Sequence, residues 1–423
     1  MIDSPKNLHR FLQEFTLDSL KNLKSSQNNT EETQTQVKFF QLDSVKVPKY
    51  INEFWTAKQR QGHSLHEISY RACFKAQLPR FFIELFTTEG DIVYDPFSGR
   101  GTTVIEAGLL NRQIIQNDVN PLSKILCKPR FFIPTLSDIK DRLENLSINY
   151  SQRAEIDLSM FYHPKTEAEI VSLRNYLLQR HQLGEEDEID QWIRMVATNR
   201  LTGHSTGFFS VYTLPPNQAV SAERQRKINE KRSQVPEYRP IIHRILKKSK
   251  SLMRNLSPIQ KENLRKNGKN GLFLSKDARY TPEIKDDSIQ LIVTSPPFLN
   301  VVQYSQDNWL RGWFNSLNID EIDQKIMCTS NIREWQNFMA ECFNEFHHKV
   351  KPNGWVAFEV GEVNRGTTSL DELILPIGCK AGFIPIAILI NQQVFTKTSN
   401  IWGISNNKRG TNSKRIVLFQ KKS

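Results

Sequence analysis

Several things are missing from this chain of 423 residues, and each absence removes a class of function. Cysteine is scarce: Cys73, Cys127, Cys328, Cys342 and Cys379 are scattered, odd in number and without C-x-x-C spacing, which argues against a disulfide framework and a zinc site. No metal is expected. Long apolar runs are absent too. The longest, 386–390, is far below the roughly 20 residues of a membrane span. No charged stretch followed by an apolar one opens the sequence, so no secretory leader is read and a cytoplasmic protein is expected. Acidic residues are outnumbered, 45 against 57 Lys and Arg, for a formal charge of +12. The excess is concentrated: 222–270 holds 15 Lys or Arg and 4 acidic residues, a balance that favours a polyanionic partner through counterion release.

Two short motifs carry the chemistry. Asp95-Pro96-Phe97-Ser98-Gly99-Arg100-Gly101-Thr102-Thr103 follows an apolar run at 91–94, and Thr294-Ser295-Pro296-Pro297-Phe298 follows another at 289–293. Each reads as the end of a buried parallel strand, where open α/β sheets bind their ligands. Around the first motif the pattern is helix 78–86, strand 91–94, glycine turn, helix 102–110, strand 113–116 and then Asp118. That is the βαβ signature of a nucleotide-type cofactor fold. Gly99 and Gly101 would let the backbone approach a ligand, and Thr102 and Thr103 would open a helix whose free N–H groups face the site. Asp95 can accept from an ammonium group, Asp118 from ribose hydroxyls and Asp277 from an adenine amino group. The loop lacks the lysine of a phosphate-binding loop and the third glycine of the dinucleotide fingerprint, so neither a nucleoside triphosphate nor a dinucleotide is expected.

The second motif is more specific. Its two prolines fix φ and remove donors, leaving rigid carbonyl acceptors. A conjugated amine is a weak nucleophile because its lone pair is delocalised into the ring. Accepting its hydrogens on Ser295 and the Pro296 carbonyl would free that pair, while Phe298 offers a stacking face worth roughly 1–3 kcal/mol per base.

Between the motifs the βαβ rhythm stops, and helical stretches dominate from about 137 to 270. The run 202–212, with His204, Phe208, Phe209 and Tyr212, reads as an aromatic plug seating this insertion, or else as a loop acting on an extruded base. The chain divides into a peripheral N-terminal helix and polar linker (1–45), a cofactor half (46–136), the insertion (137–270) and a catalytic half (271–423). Further expected elements are a helix at 333–350 and strands at 355–360, 386–395 and 415–420. His347 and His348 have no third ligand beside them.

Together the two motifs resemble those of the DNA amino-methyltransferases, which carry D-P-F-x-G-x-G-T-T and (S/D/N)-P-P-(Y/F/W). The T-S-P-P-F form is most similar to the cytosine-N4 branch; D-P-P-Y is commoner in adenine-N6 enzymes. The resemblance covers about 46–134 and 272–422. It implies an α/β, Rossmann-like S-adenosylmethionine-dependent methyltransferase sheet with a mostly helical basic insertion. The implied cofactor is S-adenosyl-L-methionine, held by Asp95, Pro96, Phe97, Gly99, Gly101, Thr102, Thr103, Asp118 and Asp277. The implied catalytic residues are Ser295, Pro296, Pro297 and Phe298. Residues 63–82 look like the family's helix closing over the methionine end, and 400–403 with 415–420 like its final hairpin. The insertion would recognise double-stranded DNA, with Arg224, Arg226, Lys227, Lys231, Arg232, Arg244, Lys247, Lys248 and Lys250 available for phosphates. A cognate restriction endonuclease is the implied partner. Phe298 stands where tyrosine is commoner, and the cofactor motif precedes the catalytic one, the reverse of many cytosine-N4 enzymes. The rival readings are adenine-N6 in DNA, an amine in RNA, and an inactive nucleic-acid-binding subunit.

Overall fold

A computed structural model describes residues 2, 4–16, 34–55, 62–71, 73–214, 220–297, 304–363, 368–391 and 414–423. Phe298, 215–219 and the 400–403 and 406–410 stretches lie outside the described residues.

Helix α1 (Pro5–Gln13), N-capped by Ser4, is followed by strands β1 (Gln36–Leu42) and β2 (Val45–Asn52). Then come α2 (Gln77–Phe86), β3 (Ile92–Asp95), α3 (Thr102–Leu109), β4 (Gln113–Gln116) and α4 (Pro121–Cys127). The insertion is helical: α5 (Leu136–Glu144), α6 (Pro164–Gln182), α7 (Glu188–Arg200), α8 (Ala222–Arg232), α9 (Ile241–Met253) and α10 (Pro258–Asn270). Strands β5 (Leu272–Phe273) and β6 (Ile289–Thr294) bring the chain back to the sheet. The remainder is α11 (Tyr304–Asn315), α12 (Ile319–Lys325), α13 (Ile332–Lys349), β7 (Val350–Val360), the small β8 (Glu362–Val363) and β9 (Thr368–Ser369) pair, α14 (Leu370–Lys380), β10 (Phe383–Asn391) and β11 (Lys414–Lys421).

The main sheet runs β1-β2-β10-β11-β7-β6-β3-β4-β5. Strands β5, β4, β3, β6 and β7 are parallel neighbours; β11 enters antiparallel between β7 and β10. This is the doubly wound, Rossmann-like order, and its switch point lies between β3 and β6. Strand β6 is buried at every position, as its unbroken Ile-Gln-Leu-Ile-Val-Thr run requires of a strand covered on both faces. One apolar layer includes Phe82, Phe86, Val93 and Trp355, with Phe86 stacked on Trp355 at 4.2 Å. The other gathers Tyr94, Phe343, Phe346 and Phe358 beneath α13.

Two expectations change. The described residues of 1–45 are not peripheral: Leu8 and Leu12 are buried in the first core layer, and the β1–β2 hairpin extends the sheet because β2 pairs in parallel with β10. Nor is 63–82 one helix. A single 3-10 turn spans Ser64–His66, and 67–70 carry no helix before α2 begins at Gln77. The reason lies in two arginines. Arg100 donates to the carbonyls of His66, Ile68 (2.9 Å) and Phe74, and fully buried Arg130 donates to Leu65 (3.0 Å). Those carbonyls are the acceptors a helix would have used internally.

Candidate active site

The two motifs meet. Thr294 Oγ1 donates to Asp95 Oδ1 at 2.7 Å, joining the carboxyl ends of β6 and β3, and Thr103 Oγ1 donates to the Val293 carbonyl at 3.0 Å. Above this junction opens a cleft lined by residues of both motifs. Pro96, Phe97, Gly99, Thr102, Asp118, Asp277, Ser295, Pro296 and Pro297 all line it. Asp95, Gly101 and Thr103 stand behind that wall and hold it in place.

The glycines are required, though for a different reason from the one the sequence suggested. Both have positive φ, +51° at Gly99 and +79° at Gly101. A Cβ on Gly101 would lie 2.5 Å from Cys127 Sγ, and one on Gly99 would lie 3.2 Å from Cys73 Sγ. It is therefore the protein's own packing, together with backbone conformation, that excludes a side chain at these positions. Gly101 caps α3 in the left-handed region, turning the chain from the loop into the helix.

Asp118 accepts from Gly99 N at 2.8 Å and from Asn120 N at 2.9 Å, which fixes the carboxylate at the cleft. Burial pushes its pKa up to about 6. Burial pushes Asp95 further, to about 7, against the opposing hydrogen bonds from Thr294 and Thr103. Asp277 is held on both oxygens by Arg279, at 2.7–3.1 Å. Burial acts to raise its pKa, but the hydrogen bonds and charge of Arg279 outweigh it and leave the group low.

Ser295 is the most informative position. Its Oγ is sealed from solvent yet has no hydrogen-bond partner among the described residues. Leaving a buried hydroxyl unpaired costs roughly 1–3 kcal/mol, a strain expected where a ligand supplies the missing partner. The neighbouring turn is pinned: Trp335 Nε1 donates to the Pro297 carbonyl at 3.0 Å.

Several residues of the site were not anticipated. Tyr70, Arg71, Cys73 and Phe74 form one wall, and Ile326, Met327 and Phe338 contribute to another. Asn117 exchanges two 3.0 Å hydrogen bonds with the Lys276 backbone, tying the β4 turn to the 276–278 loop. Asn117 directly precedes Asp118 at a strand end, which was the one clue available from sequence.

In the insertion, 202–212 packs against the insertion's own residues. Phe208 and Phe209 are buried, Arg200 lies over the Phe208 ring at 3.9 Å, and Arg239 donates to carbonyls of the loop. The basic residues separate into two groups. On α8, Lys227 pairs with Glu223 (2.6 Å), Arg226 with Asp157 (2.7 Å), and Arg232 covers Tyr212 (3.8 Å), while Arg224 and Lys231 are exposed. On α9, Arg244 donates to the Thr206 carbonyl, Lys248 reaches Glu67, and Lys247 and Lys250 are exposed. Among the described residues no group of acidic, His and Cys side chains could hold a metal, and no helix is long and apolar enough to cross a membrane.

A family model described as DNA methylase matches residues 3–124. The Type II methyltransferase M.BsoBI of Geobacillus stearothermophilus is 24% identical over 330 residues, covering 69% of this chain and 58% of that protein. The Type II methyltransferase M.MvaI of Kocuria varians is 24% identical over 321 residues, covering 69% and 64%. The chain thus spans about three-fifths of the length of these curated relatives. Among solved structures, the rRNA methyltransferase aviRa of Streptomyces viridochromogenes is 11% identical, with 85% of this chain and 90% of that chain covered and a TM-score of 0.31. A likeness that loose adds nothing to the sheet order described above.

Proposed function

We propose that this chain is an S-adenosylmethionine-dependent amino-methyltransferase of DNA, and that its target is the exocyclic N4 of cytosine. The observation that carries the reading is Ser295 Oγ, an unpaired buried acceptor in a cleft shared with the glycine turn. The DNA methylase match and the two Type II relatives point the same way. The T-S-P-P-F sequence favours cytosine.

The residues present fit the cofactor. Asp118 keeps lone pairs for ribose hydroxyls, and the apolar wall of Ala278 and Phe338 beside Asp277 suits an adenine ring. When bound, S-adenosyl-L-methionine supplies an electrophilic methyl group on a sulfonium that leaves readily. The protein's own part is positioning, which can account for much of an enzyme's acceleration. Ser295 Oγ and the Pro296 carbonyl accept the two amine hydrogens and favour a tetrahedral nitrogen with its lone pair free. The lone pair of that exocyclic nitrogen would form the new N–C bond as the methyl–sulfur bond breaks with its electrons kept on sulfur, and the surplus amine proton would pass to solvent, so no dedicated base is needed. Reaching the cleft requires the base to leave the helix. The resemblance of the two motifs extends this reading to a cognate restriction endonuclease and a place in the cytoplasm.

The test is incubation with methyl-labelled cofactor and duplex DNA, followed by nucleoside mass spectrometry. N4-methylcytosine is expected. N6-methyladenine would overturn the choice of base, label confined to RNA would overturn the substrate, and cofactor binding without transfer would overturn the enzyme.

A further inference from the structure

Helix α9 carries Arg244, Lys247, Lys248 and Lys250 and no acidic residue within its 13 positions. Its apolar stripe, Ile241, Ile245 and Leu252, is buried, so the helical period turns 243, 247 and 250 outward. Lys247 and Lys250 are exposed and belong to no ion pair among the described residues. Arg226 and Lys227 of α8, by comparison, are exposed but lie in surface ion pairs with Asp157 and Glu223.

The far end of the ridge shows what such a surface would hold. Arg254, Lys248 and Ser251 all converge on Glu67, with Arg254 Nη1 at 2.8 Å, Ser251 Oγ at 3.2 Å and Lys248 Nζ at 3.5 Å. An oxyanion held by lysine, arginine and hydroxyl donors is the pattern of a phosphate contact, here occupied by the protein's own carboxylate. The ridge is also fastened to the cleft. Ser64 Oγ donates to the Leu252 carbonyl at 2.7 Å, and His63 Nε2 meets the Asn255 carbonyl at 3.1 Å. A few residues further on, Tyr70 and Arg71 of that segment are cleft wall.

Resting on the DNA reading above, we infer that the outward ridge of α9, centred on Lys247 and Lys250, grips the phosphate backbone of duplex DNA and holds it in fixed relation to the cleft. Lys247 and Lys250 stand about 5 Å apart along the helix, close enough to meet two neighbouring phosphates of one strand. Lysine on a mobile stem reads charge and not sequence, so this surface fixes position while other residues discriminate bases.

The test uses the full chain, a short duplex DNA and anisotropy measured across a salt series. Lys247→Gln with Lys250→Gln should weaken binding and lower the slope of log K against log salt by about 2, one for each lost phosphate contact. Lys38→Gln with Lys46→Gln, exposed on the β1–β2 hairpin, removes the same charge and should leave the slope unchanged. Unaltered cofactor affinity in both variants shows that each is folded. A wild-type slope in the α9 variant, with DNA still bound and methylated, overturns this inference and leaves the proposed function standing. Equal loss in both variants overturns it as well, since net charge alone would then be responsible. Cofactor binding without DNA binding by the unaltered protein, or an equal grip on duplex RNA, overturns the DNA reading along with it.

Discussion

Replacing Thr294 with valine removes one hydroxyl at nearly constant volume and cuts the 2.7 Å link between the two motifs. The consequence should depend on pH, because the acceptor is a buried carboxylate whose pKa is pushed up from 3.8 to about 7. That gap corresponds to a penalty of ~4 kcal/mol on the ionised form, at about 1.36 kcal/mol per pH unit. The folded state holds a proton on Asp95 that the unfolded state has released between about pH 4 and 7. Stability from this group is therefore full below the unfolded pKa and is lost as pH rises through about 7. Thr294 tempers that loss by donating to the anion, and hydrogen bonds to charged groups are worth roughly 1.5–3 kcal/mol against about 1 for neutral ones. Thr294→Val should accordingly cost about 1 kcal/mol at pH 6 and about 2–3 kcal/mol at pH 9. Urea unfolding at the two pH values, with an unchanged m, measures the difference. A cost equal at both values, or larger at pH 6, would refute the assignment of a charged Asp95 as acceptor.

Three further outcomes are expected. Ser295→Ala should raise the unfolding midpoint, by up to the roughly 1–3 kcal/mol that the unpaired buried hydroxyl costs, and leave cofactor affinity near wild type, while methyl transfer falls roughly 10²–10³-fold, as for the loss of one positioned hydrogen-bonding group; calorimetry and single-turnover assays check these. Gly101→Ala should destabilise the fold by about 1–3 kcal/mol, combining the strain of φ +79° with the Cβ approach to Cys127, and thermal unfolding would show it. Cofactor affinity should hold steady above pH 7 and weaken below about 6 as Asp118 takes up its proton, while Asp118→Asn should be weak throughout; a flat titration profile from pH 5 to 8 would remove Asp118 from the binding role.

How much of this was legible beforehand can be traced through particular residues. The run 289–293 marked β6 because a strand covered on both faces must be mostly apolar. The helix at 333–350 and the strand at 113–116 were equally plain, since 3.6-residue periodicity and short β-branched runs are properties of neighbours in sequence. By contrast, the single helix that the resemblance implied over 63–82 is not formed, because Arg100 and Arg130, from elsewhere in the chain, take carbonyls of that segment.

Local sequence by itself determined the two motifs, the strand-turn-helix around Gly99 and Gly101, and the concentration of positive charge in the insertion, for these depend on residues within a few positions of one another. Tertiary structure alone decided that Asp95 and Thr294, 199 positions apart, share a hydrogen bond, that Ser295 is left with an unanswered hydroxyl, and that Arg226 and Lys248 each meet a carboxylate distant in sequence while Lys247 and Lys250 belong to no ion pair among the described residues. Burial and pairing are set by which distant segment comes to lie alongside, and no pattern within one stretch of chain records that.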